Sequence, residues 1–243
     1  MAEVIAVLSG KGGTGKTSLC AGIATALALE GKQVLCIDCD VGLRNLDIAL
    51  GLSDLGAISF LEVCRGDYPL DRATAHPVYP NLRFLTAPIN CHADAIDRFA
   101  FARMLDLART KFQYIFLDAP AGIDAGFRLA AGVSDRAILV SGADPASIRD
   151  AGRCAEELEK MGKPARLIVN RLRKKMFKTV NLTVDDIMDS AGLPLLGIVP
   201  EDENLVLAAA FGQPLLGYTD KGAAGACRRI AKRLQGKRIK VRV

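Results

Sequence analysis

One eight-residue stretch near the start of the chain constrains the fold more than any other. Gly10-Lys11-Gly12-Gly13-Thr14-Gly15-Lys16-Thr17 follows an apolar run, Glu3–Leu8, and precedes a helical pattern over residues 16–30. This is the G-x-x-x-x-G-K-[ST] spacing between a strand and a helix. The glycines let successive backbone N–H groups turn towards phosphate oxygens, and the helix N-terminus adds a positive dipole. The stretch therefore predicts a phosphate-binding loop joining a buried strand to a helix.

The side chains of this loop suit a nucleoside triphosphate. We expect Lys16 to reach the β and γ phosphates and the Thr17 hydroxyl to bind Mg²⁺. A glycine-rich turn without a ligand is the alternative, and the flanking strand and helix argue against it. The predicted nucleotide contacts from this region are Gly10, Lys11, Gly12, Gly13, Thr14, Gly15, Lys16, Thr17 and Ser18.

Strand and helix patterns alternate along the 243 residues. Short apolar runs separated by helical lengths predict βαβ units and a doubly wound, mostly parallel α/β sheet flanked by helices. We expect one ATPase domain over residues 1–235 and a short basic tail over 236–243. The predicted strands are Glu3–Leu8, 33–37, 82–86, 114–117, 136–140, 166–169 and 195–199, and the predicted helices are 16–30, 95–111, 146–161, Val184–Ala191 and 223–234.

Carboxylates follow two of the predicted strands. Asp38 and Asp40 come at the end of the second strand, and Asp118 ends the apolar run 115–117. The carboxyl ends of parallel strands lie beside the phosphate-binding loop in a doubly wound sheet. We therefore predict that Asp38 and Asp118, with Thr17, hold Mg²⁺ partly through water. Asp40 is predicted to position the attacking water, because phosphoryl transfer depends mainly on placement and charge neutralisation.

A second lysine, Lys11, opens the loop. The sequence KGGTGKT is similar to the deviant Walker A loop of the MinD/ParA family of ATPases. The later stretches DCDVGLRNLDIALG, DAPAGID, SIRDAG and IVPED, in that order, extend the resemblance over about residues 3–235. The run 42–47 resembles the division-site members of that family more than the partition members. The resemblance implies a homodimer in which Lys11 reaches the phosphates of the partner's ATP, so that Lys11, Lys16 and Asp40 form the predicted catalytic set.

The resemblance also implies further contacts and partners. Adenine contacts are expected from Asn170, Pro200 and Asp202, and an activator-facing helix is expected near Arg149 and Asp150. The implied activity is slow, partner-stimulated ATP hydrolysis that uses Mg²⁺ and acts in placing the bacterial division site. The implied partners are a second copy of the chain, a division inhibitor and an ATPase activator. A partition-type ATPase that binds DNA nonspecifically is the alternative.

The basic charge of the protein is concentrated at its C-terminus. Residues 228–243 hold eight basic and no acidic residues, which leaves 24 basic and 27 acidic residues elsewhere. We expect the helix 223–234 to pack on the sheet, since its apolar residues share one face. The last seven residues alternate like a strand, and they suit either an anionic membrane surface or nucleic-acid phosphates. A basic loop with Arg171, Arg173, Lys174, Lys175 and Lys178 is expected to be solvated.

The remaining cysteine and histidine residues indicate no metal site. Cys36 and Cys39 form the one CxxC pair, and positions i and i+3 of a strand point to opposite faces. Both are therefore expected in the core, and His76 and His92 on the surface. No export signal or membrane-spanning run is evident, so we expect a cytoplasmic protein that is peripheral on the inner face of the cell membrane. An iron–sulfur carrier or a tyrosine kinase of related fold would need cysteine or tyrosine patterns that the sequence lacks.

Overall fold

The computed structural model describes residues 2–89, 91–173 and 183–241. Within these ranges eight strands form one sheet: β1 (Glu3–Leu8), β2 (Val34–Asp38), β3 (Thr74–Ala75), β4 (Leu82–Leu85), β5 (Tyr114–Asp118), β6 (Arg136–Ser141), β7 (Ala165–Leu172) and β8 (Leu195–Pro200). Their order is β3-β4-β2-β5-β1-β6-β7-β8, and only the β3–β4 pair is antiparallel. The predicted doubly wound α/β architecture is confirmed.

Helices connect the strands and cover both faces of the sheet. They are α1 (Lys16–Leu29), α2 (Leu46–Leu50), α3 (Phe60–Arg65), α4 (Arg98–Arg109), α5 (Ala125–Val133), α6 (Pro145–Lys160), α7 (Val184–Ala191), α8 (Asn204–Ala210), α9 (Leu215–Tyr218) and α10 (Gly222–Leu234). The helix predicted from residue 95 begins at Arg98, because the Asp97 carboxylate accepts the Phe99 and Ala100 N–H groups and so caps it. The short strand β3 and the helices α2, α3, α5, α8 and α9 were not predicted.

The core consists of two apolar layers, one on each side of the sheet. Alternate residues of β1 divide between them, with Val4, Ala6 and Leu8 in one layer and Ile5 and Val7 in the other. The CxxC pair divides in the same way. Cys36 is buried in the second layer and Cys39 in the first, which confirms that the two thiols are core groups on opposite faces.

The last helix, α10, packs closely on α1 and β8. A Cβ added to Gly22 of α1 would lie 2.8 Å from Cys227 Sγ, and one added to Gly197 of β8 would lie 2.4 Å from Ile230 Cγ1. Both α1 and β8 thus have a glycine where they contact α10, because a larger side chain would overlap with that helix. The predicted packing of this helix on the sheet is confirmed.

Residues 235–241, the described part of the chain after α10, lie outside the sheet although their sequence alternates like a strand. Arg233 Nε donates to the Ile239 carbonyl over 2.9 Å, and Lys237 Nζ lies 3.1 Å from Glu30 Oε2. Val241 is 46% exposed. Side-chain contacts, rather than pairing with a neighbouring strand, therefore attach this segment to the folded body. Arg242 and Val243 lie outside the described residues. In the ranges that the structure describes, no helix is long and apolar enough to cross a bilayer.

His76 is buried, contrary to the surface position expected from the sequence. Its ring lies 3.0 Å from the Leu50 carbonyl through Nε2, and Nδ1 accepts the N–H groups of Val78 and Tyr79. The ring thereby joins the end of α2 to the loop before β4. His92 is exposed, as predicted.

Candidate nucleotide-binding site

The β1–α1 loop has the shape that its glycines predict. Gly13 and Gly15 have φ angles of 77° and 83°, which only glycine adopts readily. A Cβ on Gly10 would lie 2.7 Å from the Asp150 carbonyl oxygen in the backbone of α6. Glycine is thus required at Gly10 for close packing and at the other two positions for backbone conformation.

Lys16 and Asp118 meet at the centre of the site. The register of β1 with β5 places Asp118 opposite Val7, just before the loop. Lys16 Nζ lies 2.6 Å from Asp118 Oδ1 and 3.4 Å from Thr17 Oγ1. Burial raises the pKa of Asp118, although the Lys16 ammonium opposes that shift. The lysine and two of the predicted metal-binding groups are therefore neighbours.

Asp38 is the third predicted metal-binding residue, and it lies beside Asp118 in the β2–β5 register. Its two carboxylate oxygens accept the N–H groups of Asp40 and Leu46, over 2.9 and 3.2 Å. Burial, with the nearby Asp118 carboxylate, raises the pKa of Asp38 to about 7. Asp38 thus organises the loop that carries Asp40 and the start of α2.

A cavity of about 620 Å³ opens over the loop. One end is polar and contains Asp40 and the phosphate-binding loop, and the other is mostly apolar. The lining residues include Lys11, Gly12, Gly13, Thr14, Gly15, Lys16, Thr17, Ser18 and Asp40 at the polar end, and Ile48, Ala49, Leu205, Ala209 and Leu215 at the apolar end. A polar end for phosphates continuous with an apolar end for a base fits a nucleotide.

Asn170, a residue of β7, holds the phosphate-binding loop by a hydrogen bond. Its Nδ2 donates to the Thr14 carbonyl over 2.7 Å, while its Oδ1 is buried without a hydrogen-bond partner. A Cβ on Gly15 would lie 2.3 Å from Asn170 Nδ2, so the two residues are in close contact. The orphaned acceptor is a group that a bound ligand can satisfy.

Pro200 and Asp202 lie at the end of β8 and are not among the residues that line this cavity. Asp202 Oδ1 accepts from the backbone N and the Nδ2 of Asn204, and its Oδ2 accepts from Ala223 N over 2.8 Å. The carboxylate thus joins the start of α8 to the start of α10.

Lys11 stands at the rim of the cavity with about half of its side chain exposed. Its Nζ lies 3.7 Å from Asp144 Oδ1, at the start of α6. Further along α6, Arg149 is exposed and Asp150 is half-buried. The Gly122 N–H donates to the Ser9 carbonyl over 2.9 Å, which ties the loop after β5 to the end of β1.

Arg171, expected in a solvated basic loop, instead lies within β7 and takes part in the site. Arg171 Nη1 donates to the Gly13 carbonyl over 2.9 Å, and Arg173 pairs with Glu201. These residues line a second cavity of about 340 Å³ on the other side of the phosphate-binding loop. Lys174, Lys175 and Lys178 of the same loop lie outside the described residues. Arg171 was missed because its contact spans most of the chain.

A mostly parallel sheet, a phosphate-binding loop after its central strand and carboxylates at the ends of two neighbouring strands define a P-loop nucleotide hydrolase. Comparison with known proteins shows the family of the chain. The family described as the CobQ/CobB/MinD/ParA nucleotide binding domain matches residues 5–215. The septum site-determining protein MinD of Synechocystis sp. is 39% identical over 244 residues, which span 98% of this chain and 91% of that protein. The septum site-determining protein MinD of Bacillus subtilis is 34% identical over 252 residues, which span 100% of this chain and 92% of that protein.

Solved structures agree with these relatives. The MinC:MinD cell division protein complex of Aquifex aeolicus matches with a TM-score of 0.92 and 37% identity, over 100% of this chain and 99% of that one. MinD complexed with Mg-ADP from Pyrococcus horikoshii matches with a TM-score of 0.83 and 27% identity, over 96% of each chain. The chain therefore belongs to the MinD/ParA family of P-loop ATPases and, within it, is most similar in these comparisons to MinD proteins. It is an ATP-hydrolysing enzyme that works with Mg²⁺.

Proposed function

We propose that the chain is an ATP-driven switch that helps to place the bacterial division site by forming a homodimer around ATP. The named relatives are septum site-determining and cell division proteins. The observation that carries the proposal is the position of Lys11, half-exposed at the rim of a cavity that is lined by Lys16 and the rest of the phosphate-binding loop. A lysine in that place can serve a second copy of the site.

Within one protomer, the residues at the polar end of the cavity hold the phosphates. The N–H groups from Gly12 to Ser18 face the phosphate oxygens, and Lys16 turns from Asp118 to them. Thr17, with Asp38 and Asp118 acting through water, holds Mg²⁺, which neutralises phosphate charge. These groups fit the ion because one hydroxyl and two carboxylates meet beside the loop.

The base lies at the apolar end of the cavity. Asn170 Oδ1 is buried without a partner behind Thr14 and does not line the cavity, so its predicted contact with the amino group of the base requires the loop to adjust when the nucleotide binds. The loop carrying Pro200 and Asp202 contributes through its backbone, because the Asp202 carboxylate already joins α8 to α10. Adenine, with its exocyclic amine, suits this acceptor.

Hydrolysis depends on Asp40 and Lys11. Asp40 lines the polar end and is half-buried, and its carboxylate orients the attacking water. Lys11 leaves Asp144 and adds a positive charge to the partner's phosphates. ATP favours the dimer because only the dimer supplies both lysines to each nucleotide.

The ATP-bound dimer is the form that meets its partners. The Aquifex aeolicus relative forms a complex with MinC, and a division inhibitor of that kind is the corresponding partner here. We place the activator on α6, where Arg149 is exposed and α6 touches Gly10 of the loop. An activator on this helix acts on the loop through that contact.

The basic tail brings the dimer to an anionic membrane surface. Each basic residue near such a surface contributes about 1 kcal/mol. Val241 is exposed, whereas the Ile239 carbonyl is held by Arg233. One tail therefore binds weakly, and the two tails of a dimer bind together.

The test is sedimentation of the purified chain with anionic liposomes in ATP·Mg²⁺ or ADP·Mg²⁺. The variants are Lys11→Ala and a chain truncated after Gly236, which also tests the division into an ATPase domain 1–235 and a tail. We expect pelleting of the full chain with ATP alone and loss of pelleting in both variants. Analytical ultracentrifugation should show an ATP-dependent dimer for the truncated chain and a monomer for Lys11→Ala.

Two results would overturn parts of the proposal. A Lys11→Ala variant that still dimerises with ATP would remove the cross-interface role of that lysine. A chain that dimerises but never pellets, and instead shifts DNA in a salt-sensitive manner, would favour the partition-type alternative.

A further inference from the structure

An irregularity in β7 aims two consecutive side chains at the phosphate-binding loop. Val169 pairs with Ile198 and Leu172 with Pro200, so two residues of β7 lie opposite one residue of β8. This is a β-bulge, which redirects side chains and occurs often beside active sites. Within it Arg171 has a φ of 56°, a left-handed conformation that residues other than glycine adopt rarely. The backbone is held in this form by its surroundings.

The bulge fixes two neighbouring carbonyl groups of the loop. Asn170 Nδ2 donates to the Thr14 carbonyl over 2.7 Å, and Arg171 Nη1 donates to the Gly13 carbonyl over 2.9 Å. In a trans peptide the C=O and the following N–H point in opposite directions. Holding the Gly13 carbonyl towards β7 therefore turns the Thr14 N–H to the other side of the loop, where the phosphates bind. Asn170 acts in the same way on the next peptide, whose N–H belongs to Gly15.

Arg171 is in turn held by Glu201. Arg171 Nη2 lies 3.8 Å from Glu201 Oε1, and the Glu201 N–H donates to the Leu172 carbonyl over 3.2 Å. Arg173 also pairs with Glu201, with its Nη2 2.7 Å from Oε1. The two arginines share a partner and a neighbourhood. Of the two, it is Arg171 that donates to the phosphate-binding loop.

We propose that Arg171 is a positioning residue for nucleotide binding, which sets the direction of the Thr14 N–H by holding the Gly13 carbonyl. The proposal rests on the proposed function, because the phosphates that benefit are those of ATP or ADP. It predicts that the guanidinium acts through its hydrogen bond to the loop rather than through its charge.

The experiment compares Arg171→Met with the matched control Arg173→Met in the full chain. Both changes remove one guanidinium from the same ion-pair cluster and keep an apolar stem. Titration calorimetry with ADP·Mg²⁺ measures the Kd, and thermal unfolding without nucleotide measures stability. We expect Arg171→Met to raise the Kd about 10-fold or more, because a charge-assisted hydrogen bond is lost. Arg173→Met should change it by less than about 2-fold, since exposed ion pairs contribute little.

Arg171→Lys tests the role of the planar guanidinium. Lysine keeps the charge but not the fork that reaches both Gly13 and Glu201. We expect an intermediate Kd. Amide hydrogen exchange over residues 12–16 without nucleotide should be faster in Arg171→Met than in Arg173→Met.

The outcomes separate the possibilities. An unchanged Kd in a folded Arg171→Met, or an equal loss in Arg173→Met, overturns the proposal. If Arg171→Met fails to fold, Arg171→Gly replaces it, because glycine adopts the φ of this position without strain. A wild-type chain that binds no ADP·Mg²⁺ overturns the proposed nucleotide site as well, whereas the first two outcomes leave that site standing.

Discussion

Lys16 Nζ lies 2.6 Å from Asp118 Oδ1, and the two side chains are only 7% and 1% exposed. Two charges removed from water stabilise each other, and the loss of one leaves the other buried without a partner, which destabilises the fold. The same two groups are assigned to the phosphates and to the Mg²⁺ shell. The pair thus holds each group in place for its ligand.

Replacing one member of the pair should therefore lower the free energy of unfolding more than replacing both. We expect Lys16→Met to lower the free energy of unfolding by about 3 kcal/mol, because it leaves a buried carboxylate without a cation. The double variant Lys16→Met/Asp118→Asn should recover most of that loss. Urea denaturation without nucleotide measures all three values. A double variant no more stable than Lys16→Met would show that the pair does not couple.

Gly10 and Gly12 should differ sharply although both belong to the same motif. Alanine at Gly10 would meet the Asp150 backbone, so we expect about 1–3 kcal/mol of destabilisation. Gly12 has nothing within 4 Å of an added Cβ, and Gly12→Ala should change stability by less than about 1 kcal/mol. Thermal or urea unfolding without nucleotide provides the comparison. Equal effects would mean that the loop and α6 are not in close contact.

Asp202 should matter for stability more than for base recognition. Its carboxylate accepts hydrogen bonds from Asn204 and Ala223, so Asp202→Ala leaves their N–H groups without partners. We expect a loss of about 1–3 kcal/mol in the free energy of unfolding. Titration with ADP at a temperature where the variant is folded should give a Kd close to that of the wild type. A weaker Kd with unchanged stability would instead assign the carboxylate to the base.

His76 should make stability depend on pH below neutrality. Burial lowers the pKa of His76, although its hydrogen bond to the Leu50 carbonyl opposes the shift. The folded state therefore favours the neutral ring. That stability is present above the unfolded pKa of about 6.5 and is lost as the pH falls through the lower folded pKa. Protonation would also turn Nδ1 into a donor facing the N–H groups of Val78 and Tyr79.

The comparison uses the two histidines of the chain. Urea denaturation from pH 7.5 to pH 5 should show a steeper loss of stability in the wild type than in His76→Gln. His92→Gln, at an exposed position, should follow the wild type. Parallel curves for the wild type and His76→Gln would show that the buried ring does not control the slope.

The parts of the site that the sequence predicted are those set by local rules. The loop from Gly10 to Thr17 and the residues Asp38 and Asp118 follow from motif spacing and from strands ending at one edge of a parallel sheet. The sheet and its long helices follow from hydrophobic periodicity. Short helices such as α2 have too few residues for a periodic pattern to show.

The parts that were missed depend on contacts between distant residues. Arg171 meets Gly13 because a bulge turns it, and no spacing rule signals a bulge at that point. His76 is buried because Leu50, far away in the chain, offers a carbonyl. The contact of Asp202 with adenine stays a prediction, but the sequence did not indicate that α10 brings Ala223 N to its carboxylate. Such assignments need the packed structure.

The end of α10 has a consequence for how such a protein can be altered. Leu234 is the last buried residue of the helix, and Gly236 follows with a φ of 80° at the surface. Beyond it, the described chain touches the folded body through Lys237 and the Ile239 carbonyl. The peptide after Gly236 is therefore held to the folded body by few contacts, and we expect a fluorescent reporter fused after Gly236 to leave the fold of the preceding residues unchanged.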